Sequence, residues 1–285
     1  MFLPRKVLEE KLRALLAEDL GQGDITSSLV VPADKNARAS VVAKQAGVVA
    51  GIEEAKIFLQ SLGLEFEASV SDGKKVRPGE VLLRISGDAR TLLAAERTLL
   101  NLLSRMSGIA TATRNLVEKL REANVETRVA CTRKTAPGLL YFDKKAVLIG
   151  GGDTHRLHLD DMVLIKDNHI ALAGSVEKAV KKAKKHASFS KKIEIEVTKA
   201  EEVLPAVRAG ADIVMLDNFS PKKIEKAMML LKKEKYYGKV LVEASGGITA
   251  ENIKRFASTG VDVVSLGEIT QGSKALDMSL EVKKQ

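Results

Sequence analysis

The chain of 285 residues has room for about two domains at ~150 residues each, although an α/β barrel can use ~250 in one. A composition of 45% apolar and 29% charged residues with one cysteine excludes a disordered chain, a disulfide framework and a cysteine-only metal cluster. The formal charge of +9 attracts polyanions, but much of the surplus is spread as lysine on solvated helix faces such as 181–185; with 4% aromatics and no tryptophan there is no base-stacking platform, so no nucleic-acid partner is expected.

Residues 4–20 set Leu8, Leu12, Leu15 and Leu16 at helical spacing, and Gly21 ends that helix. The first six residues lead into it without an apolar signal region, and no apolar run approaches the ~18 residues a membrane span needs. A cytoplasmic protein without membrane attachment is therefore expected. A glycine-rich turn at 21–27 leads into Leu29–Pro32. Strands follow at 37–44, 47–50, 65–70 and 81–85, interrupted by a helix at 52–62. The run from Asp72 to Ile85 reads as two strands joined by a Pro78-Gly79 turn, analogous to part of a biotinyl or lipoyl carrier domain but without the carrier's modified lysine. Residues 91–121 read as one long helix or two joined ones, with Ser107-Gly108 as the break.

After about residue 125 strands and helices alternate. Strands are expected at 126–131, 162–166, 192–197, 212–217, 239–243 and 262–266, and helices at 138–149, 175–187, 200–209, 221–234 and 250–258. Such alternation builds βαβ units and a parallel sheet, doubly wound or closed as a barrel. The strand Ile193-Glu-Ile-Glu-Val197 decides between them. Its isoleucines and valine share one face, Glu194 and Glu196 the other. A doubly wound sheet would strand that carboxylate row under helices. A barrel turns it toward an axis where active sites form, at the C-terminal ends of the strands.

Other strand ends repeat the pattern, with Lys166, Asp217 and Glu243 closing three strands and Arg133 and Lys134 following a fourth. Buried unpaired charges are costly, so converging charges of both signs point to a site. Arg133, Lys134, His155, Arg156 and Lys166 suit a small substrate with more than one carboxylate. Arg97, in a polar stripe with Asn101 and Arg105 on a very apolar helix, either joins them or marks a solvent face. Glu196 and Asp217 fit a hard ion such as Mg²⁺, whereas His158 and His169 are too isolated to argue for zinc. Ser245-Gly246-Gly247 follows a strand and is expected to open a helix, where backbone N–H groups hold phosphate; Leu266-Gly267-Glu268 repeats the arrangement. Gly150-Gly-Gly152 is a flexible loop or a plain linker, and Cys131 reads as a buried core residue.

The motifs Thr132-Arg-Lys-Thr-Ala-Pro-Gly138, Gly150-Gly-Gly-Asp-Thr-His-Arg156, Leu164-Ile-Lys-Asp-Asn-His169, Leu216-Asp-Asn218 and Ser245-Gly-Gly247 resemble those of the quinolinate phosphoribosyltransferases. So do Glu18–Ser27 and Glu96–Ser104, and the resemblance runs over almost the whole chain in order. It implies an N-terminal α/β sandwich domain (1–110, with 272–285 returning to it) and a C-terminal incomplete, open α/β barrel (111–271). It implies a homodimer in which Arg97 enters the partner's site. The implied reaction joins quinolinate to phosphoribosyl pyrophosphate with Mg²⁺, giving nicotinate mononucleotide, CO₂ and pyrophosphate in NAD biosynthesis. Arg97, Arg133, His155, Arg156 and Lys166 would bind the dicarboxylate. Lys134 and Lys166 would serve the pyrophosphate or a substrate carboxylate. Glu196 and Asp217 would hold Mg²⁺ and the ribose, with Glu243 beside them, and Ser245, Gly246, Gly247 and Gly267 the 5′-phosphate. Departures from the family pattern are Thr154 for Asn, Ala244-Ser245 for Ser-Ser and Gln271-Gly272 for His-Ser. A related enzyme for a monocarboxylate such as nicotinate is the rival, but it would not need so many cations.

Overall fold

The computed structural model describes residues 3–283. Its contacts group into two units: Met1–Arg114 with Ala136–Gly151 and Gly272–Gln285, and Asn115–Thr135 with Gly152–Gln271.

Unit 1 contains β1 (Asn36–Ala43), β2 (Gly47–Val48), β3 (Glu65–Ala68), β4 (Lys75–Val76) and β5 (Val81–Asp88). An antiparallel sheet runs in the order C-terminal strand (Met278–Val282), β1, β5, β3, and β2 pairs β4 separately. The helix Ile52–Ser61 buries Ile52, Ala55, Phe58 and Leu59, and it packs with the helix Arg5–Leu20, which buries Leu8 and Leu12. The two strands expected on either side of the Pro78-Gly79 turn are β4 and β5, but they do not pair with each other. The Gly79 N–H donates to the Ala43 carbonyl (2.8 Å) and the Ala43 N–H to the Glu80 carbonyl (3.0 Å), so the turn binds the end of β1 while β4 and β5 enter different sheets. The run before Pro32 holds an unexpected short helix, Ile25–Val30, capped by the Asp24 carboxylate on the Ser27 N–H.

Residues Ala89–Glu122 form one 34-residue helix with no break at Ser107-Gly108. Those two residues are a packing surface. Ser107 Oγ accepts from the Ala50 N–H at 3.0 Å, and a Cβ on Gly108 would lie 2.2 Å from the Lys274 carbonyl oxygen. The helix Leu140–Gly150, expected in the barrel, belongs to unit 1. Charges fasten it there. Arg105 makes two bonds, 2.7 and 2.8 Å, to the fully buried Asp143, which removes Arg105 from the polar stripe. Lys145 (2.6 Å) and Tyr141 (3.0 Å) both donate to Glu54, itself fully buried. Gly150 is no linker, since a Cβ there would press on Thr113 at 2.5 Å.

Unit 2 contains β6 (Arg128–Cys131), β7 (Val163–Ile165), β8 (Ile193–Val197), β9 (Ile213–Asp217), β10 (Leu241–Ser245) and β11 (Val263–Leu266). They form one parallel sheet in the order β6-β11-β10-β9-β8-β7. This order is that of a barrel left open between β6 and β7. Across that seam Asp153 pairs with β6: its carbonyl accepts from the Cys131 N–H (3.0 Å) and its N–H donates to the Val129 carbonyl (2.8 Å). On β8, β9 and β10 the buried apolar face carries Ile193, Ile195, Val197, Val214, Leu216, Val242 and Ala244. The register puts Glu194, Glu196, Met215, Asp217, Glu243 and Ser245 on the opposite, inner face. The helix Asp167–Ala173 was not anticipated; it starts directly after Lys166, whose N–H donates to His169 Nδ1.

Candidate active site

The inner face of unit 2 encloses a cavity of about 740 Å³ at the C-terminal ends of its strands. Arg133, Lys134, His155, Arg156, Lys166, Glu196, Asp217, Glu243, Ser245, Gly246, Gly247 and Gly267 all line it. Glu196, Asp217, Glu243 and Ser245 are placed by the pleat, since residues two apart on a strand share a face and parallel neighbours in register stack those faces into one wall, and the others lie in the loops that follow or border the strand ends.

The cations are crowded. Arg156 is 8% exposed, and burial and the nearby Arg133 both push its pKa down, while Glu194 and Asp161 oppose them. The side chains of Arg133 and Lys134 make no ion pair or hydrogen bond with the described residues. The Lys134 backbone is fixed by Thr270 Oγ, which donates to its carbonyl at 2.7 Å, and by its own N–H to Thr132 Oγ at 3.2 Å. Lys166 Nζ binds Glu196 Oε2. An anionic ligand would relieve the repulsion within this group.

The acidic and glycine sides are built around Asn218. This residue takes a left-handed conformation (φ 56°), donates its side-chain amide to Asp217 Oδ2 (2.8 Å), and donates its N–H to the Ser245 carbonyl (2.8 Å). Gly246 lies so close that a Cβ would meet Asn218 Oδ1 at 2.3 Å. The carboxylate of Asp217 and the glycine turn thus share one support.

A family model for the quinolinate phosphoribosyl transferase C-terminal domain matches residues 109–281, and that for the N-terminal domain matches 24–107. A protein of Methanothermobacter thermautotrophicus named probable nicotinate-nucleotide pyrophosphorylase [carboxylating] is 44% identical over 272 residues, covering 95% of this chain and 98% of the relative. The rat nicotinate-nucleotide pyrophosphorylase [carboxylating] is 39% identical over 280 residues, 98% of this chain and 92% of the relative. The solved nicotinate-nucleotide pyrophosphorylase of Francisella tularensis superposes with a TM-score of 0.89 at 40% identity over 99% of this chain and 98% of its own.

The chain belongs to the quinolinate phosphoribosyl transferase family. It is an enzyme that converts quinolinate and phosphoribosyl pyrophosphate to nicotinate mononucleotide, CO₂ and pyrophosphate. In this quinolinate phosphoribosyl transferase the sheet brings together all the sequence-derived candidates except Arg97. Arg97 lies in unit 1, exposed on Ala89–Glu122, with no ion pair or hydrogen bond among the described residues. The turn after β10 differs from expectation, because its helix starts only at Ile253, and Asn252 instead closes the turn on the Gly247 carbonyl (2.9 Å) and the Thr249 N–H (2.8 Å). Gly267 does precede a helical turn, Glu268–Gln271. Cys131 is fully buried.

His155 is placed differently from a free cation. Its Nε2 lies 3.2 Å from Glu194 Oε2 and 3.2 Å from Glu243 Oε2. Burial disfavours charging of the ring, but the two carboxylates outweigh it and push its pKa up to about 10. Glu194 was not singled out for a role, although its alternation with Glu196 had put it on the inner face. It is fully buried, and that burial raises its pKa. Asn218, Thr132 and Gln271 also line the cavity; Asn218 and Thr132 had stood within the family motifs, and Gln271 as a departure from them, with no site role assigned.

Proposed function

We propose that the cavity of unit 2 carries the family's reaction with the roles that follow. The observation behind this reading is the gathering of Arg133, Lys134 and Arg156 in one cavity with the carboxylates Glu196 and Asp217, Arg133 lying close enough to Arg156 to push its pKa down. Arg133, Arg156 and Lys166 bind the two carboxylates of quinolinate. The N–H groups around Ser245–Gly247 and at Gly267 bind the 5′-phosphate of phosphoribosyl pyrophosphate. The pyridine nitrogen attacks ribose C1 as the bond to pyrophosphate breaks, and Glu196 and Asp217 stabilise the positive charge on the sugar. Lys134 receives the leaving pyrophosphate. In the adduct the ring nitrogen is positive, so the bond from C2 to its carboxylate breaks with its electron pair left on C2, stabilised by the adjacent positive nitrogen. CO₂ departs, and C2 takes up a proton.

The donor set of Glu196 and Asp217, all oxygen and without sulfur or imidazole, fits Mg²⁺. When bound, that ion supplies charge neutralisation on the pyrophosphate. The protein's own residues do the positioning: Asn218 orients Asp217, and Lys166 orients Glu196.

Arg97 completes the site of a second copy in a homodimer. Its exposure, its lack of a partner among the described residues and its apolar helix support this role. We place the enzyme in the cytoplasm; no described helix is long and apolar enough to cross a membrane. The test mixes Arg97→Ala and Lys166→Ala proteins, each inactive alone. Mixed dimers recover turnover because one site in each retains both residues. No recovery with subunit exchange demonstrated would refute the shared site.

A further inference from the structure

Thr270 is buried, does not line the cavity and has no part in the reaction as assigned, yet its hydroxyl reaches the cation loop. β6 and β11 are parallel neighbours whose register pairs Cys131 with Leu266. The loop that carries Arg133 and Lys134 therefore leaves one strand beside the turn Gly267–Gln271 that leaves the other. Strand pairing ends there, so side chains must hold the two segments together beyond it.

We propose that Thr270 is a positioning residue: it locks the turn after β11 to the backbone of Lys134 and so sets that lysine toward the pyrophosphate of the sugar substrate. This rests on the reading that Lys134 receives pyrophosphate. A lysine ammonium ends a flexible four-carbon stem, so its direction is set by the backbone that carries it and by what the stem lies against. The turn after β11 supplies both. Thr270 Oγ donates to the Lys134 carbonyl at 2.7 Å; the Gly267 carbonyl, 3.4 Å from the same hydroxyl, is the more distant acceptor. On its other side the Lys134 N–H donates to Thr132 Oγ at 3.2 Å, and the Thr135 N–H donates to the Arg133 carbonyl at 3.0 Å, which folds the loop tightly around Lys134. Thr270 is itself held, because its N–H and that of Gln271 donate to the Gly267 carbonyl at 3.2 and 3.0 Å.

The stem of the lysine is placed by the same turn. A Cβ on Gly267 would meet Lys134 Cδ at 3.1 Å, Gln271 Oε1 at 3.4 Å and Thr132 Oγ at 3.5 Å. The lysine thus crosses the bare Cα of Gly267. One short turn fixes the carbonyl of Lys134 through Thr270 and its stem through the missing side chain of Gly267. A direct ligand contact by Thr270 conflicts with these contacts, since its hydroxyl proton is engaged by a carbonyl and the residue lies outside the cavity wall.

The experiment titrates the protein calorimetrically with inorganic pyrophosphate in the presence of Mg²⁺, and separately with quinolinate. The variants are Thr270→Val, Thr270→Ser, Gly267→Ala, Lys134→Ala, and Lys134→Ala combined with each of Thr270→Val and Gly267→Ala. Circular dichroism establishes that each is folded. Thr270→Val keeps the shape and removes the donor. It is expected to weaken pyrophosphate about fivefold, what one neutral hydrogen bond provides, and quinolinate by less than about twofold; Thr270→Ser should recover most of the loss. In the Lys134→Ala background Thr270→Val should have no further effect, because it acts only through the lysine. Gly267→Ala gives an arm that leaves Thr270 intact. Gly267 has no left-handed φ, so alanine strains nothing there but displaces the lysine stem, and the resulting loss of pyrophosphate affinity should also vanish without Lys134. Equal weakening of both ligands, or a loss that persists undiminished in the Lys134→Ala background, overturns the proposal. If Lys134→Ala leaves pyrophosphate affinity unchanged, the reading of Lys134 falls and the proposal with it; if Lys134→Ala weakens it and neither Thr270→Val nor Gly267→Ala does, only the positioning role falls.

Discussion

Gly246 and Gly247 offer a matched pair of perturbations. Both are left-handed, at φ 88° and φ 63°. An alanine in that region costs about 1–2 kcal/mol. For Gly247→Ala that is the whole expected loss of stability, because a Cβ there meets nothing within 4 Å. For Gly246→Ala the Cβ would lie 2.3 Å from Asn218 Oδ1 and 2.9 Å from the Asn218 backbone nitrogen, so Asn218 must move. Moving it loosens the N–H bond to the Ser245 carbonyl and the amide bond to the Asp217 carboxylate, both 2.8 Å. A neutral hydrogen bond contributes about 0.5–1.5 kcal/mol and one to a charged group about 1.5–3. The expected loss for Gly246→Ala is therefore about 3–6.5 kcal/mol. Urea unfolding of both variants at constant slope measures the two losses. Equal losses, or a larger one for Gly247→Ala, would refute the claim that Asn218 couples the glycine turn to Asp217.

Asp143→Ala should destabilise the protein by about 2–4 kcal/mol in the same assay, below the usual cost of breaking a buried ion pair because Arg105 keeps 31% of its side chain in solvent; a loss under about 0.5 kcal/mol, as for an ordinary surface change, would show that Asp143 does not fasten its helix. Asp72→Asn tests the pH dependence of unit 1. Burial raises the Asp72 pKa, Glu54 adds to the rise, and the Ile52 N–H and Lys145 oppose it. Stability from this group is full below its unfolded pKa of 3.8 and is lost as pH rises through the higher folded value. The amide keeps an acceptor for the Ile52 N–H and does not titrate, so the variant's advantage over wild type should grow from about pH 4 to 7. A gap that is constant or shrinks over that range contradicts the assignment.

The inner face was legible because alternation is local. Glu194 and Glu196 could not share a side with Ile195, and the same parity placed Asp217 and Ser245. Which strands are neighbours, and hence which charges meet, is set by pairing across long separations. The meeting of His155 with Glu194 and Glu243 therefore left no trace in spacing. The helix Leu140–Gly150 shows the same limit. Its apolar positions announce a helix but not which core receives it, and that is decided by Arg105 and Glu54, far away in sequence. Pro78-Gly79 announced a turn correctly, but turn chemistry does not name the strand that its N–H groups will bind. Ile25–Val30 escaped because Thr26, Ser27 and Ser28 are weak helix formers, and its stability comes from the Asp24 cap.

The central claim is that the clustered cations of the cavity recognise a doubly negative pyridine. Calorimetric titration of the protein with quinolinate and with nicotinate tests it most directly. The second carboxylate should strengthen binding at least tenfold, about what one charge-assisted hydrogen bond provides, and most of that preference should disappear in Arg133→Ala or Arg156→Ala. Equal affinities for the two acids, or a preference that survives both substitutions, would contradict it.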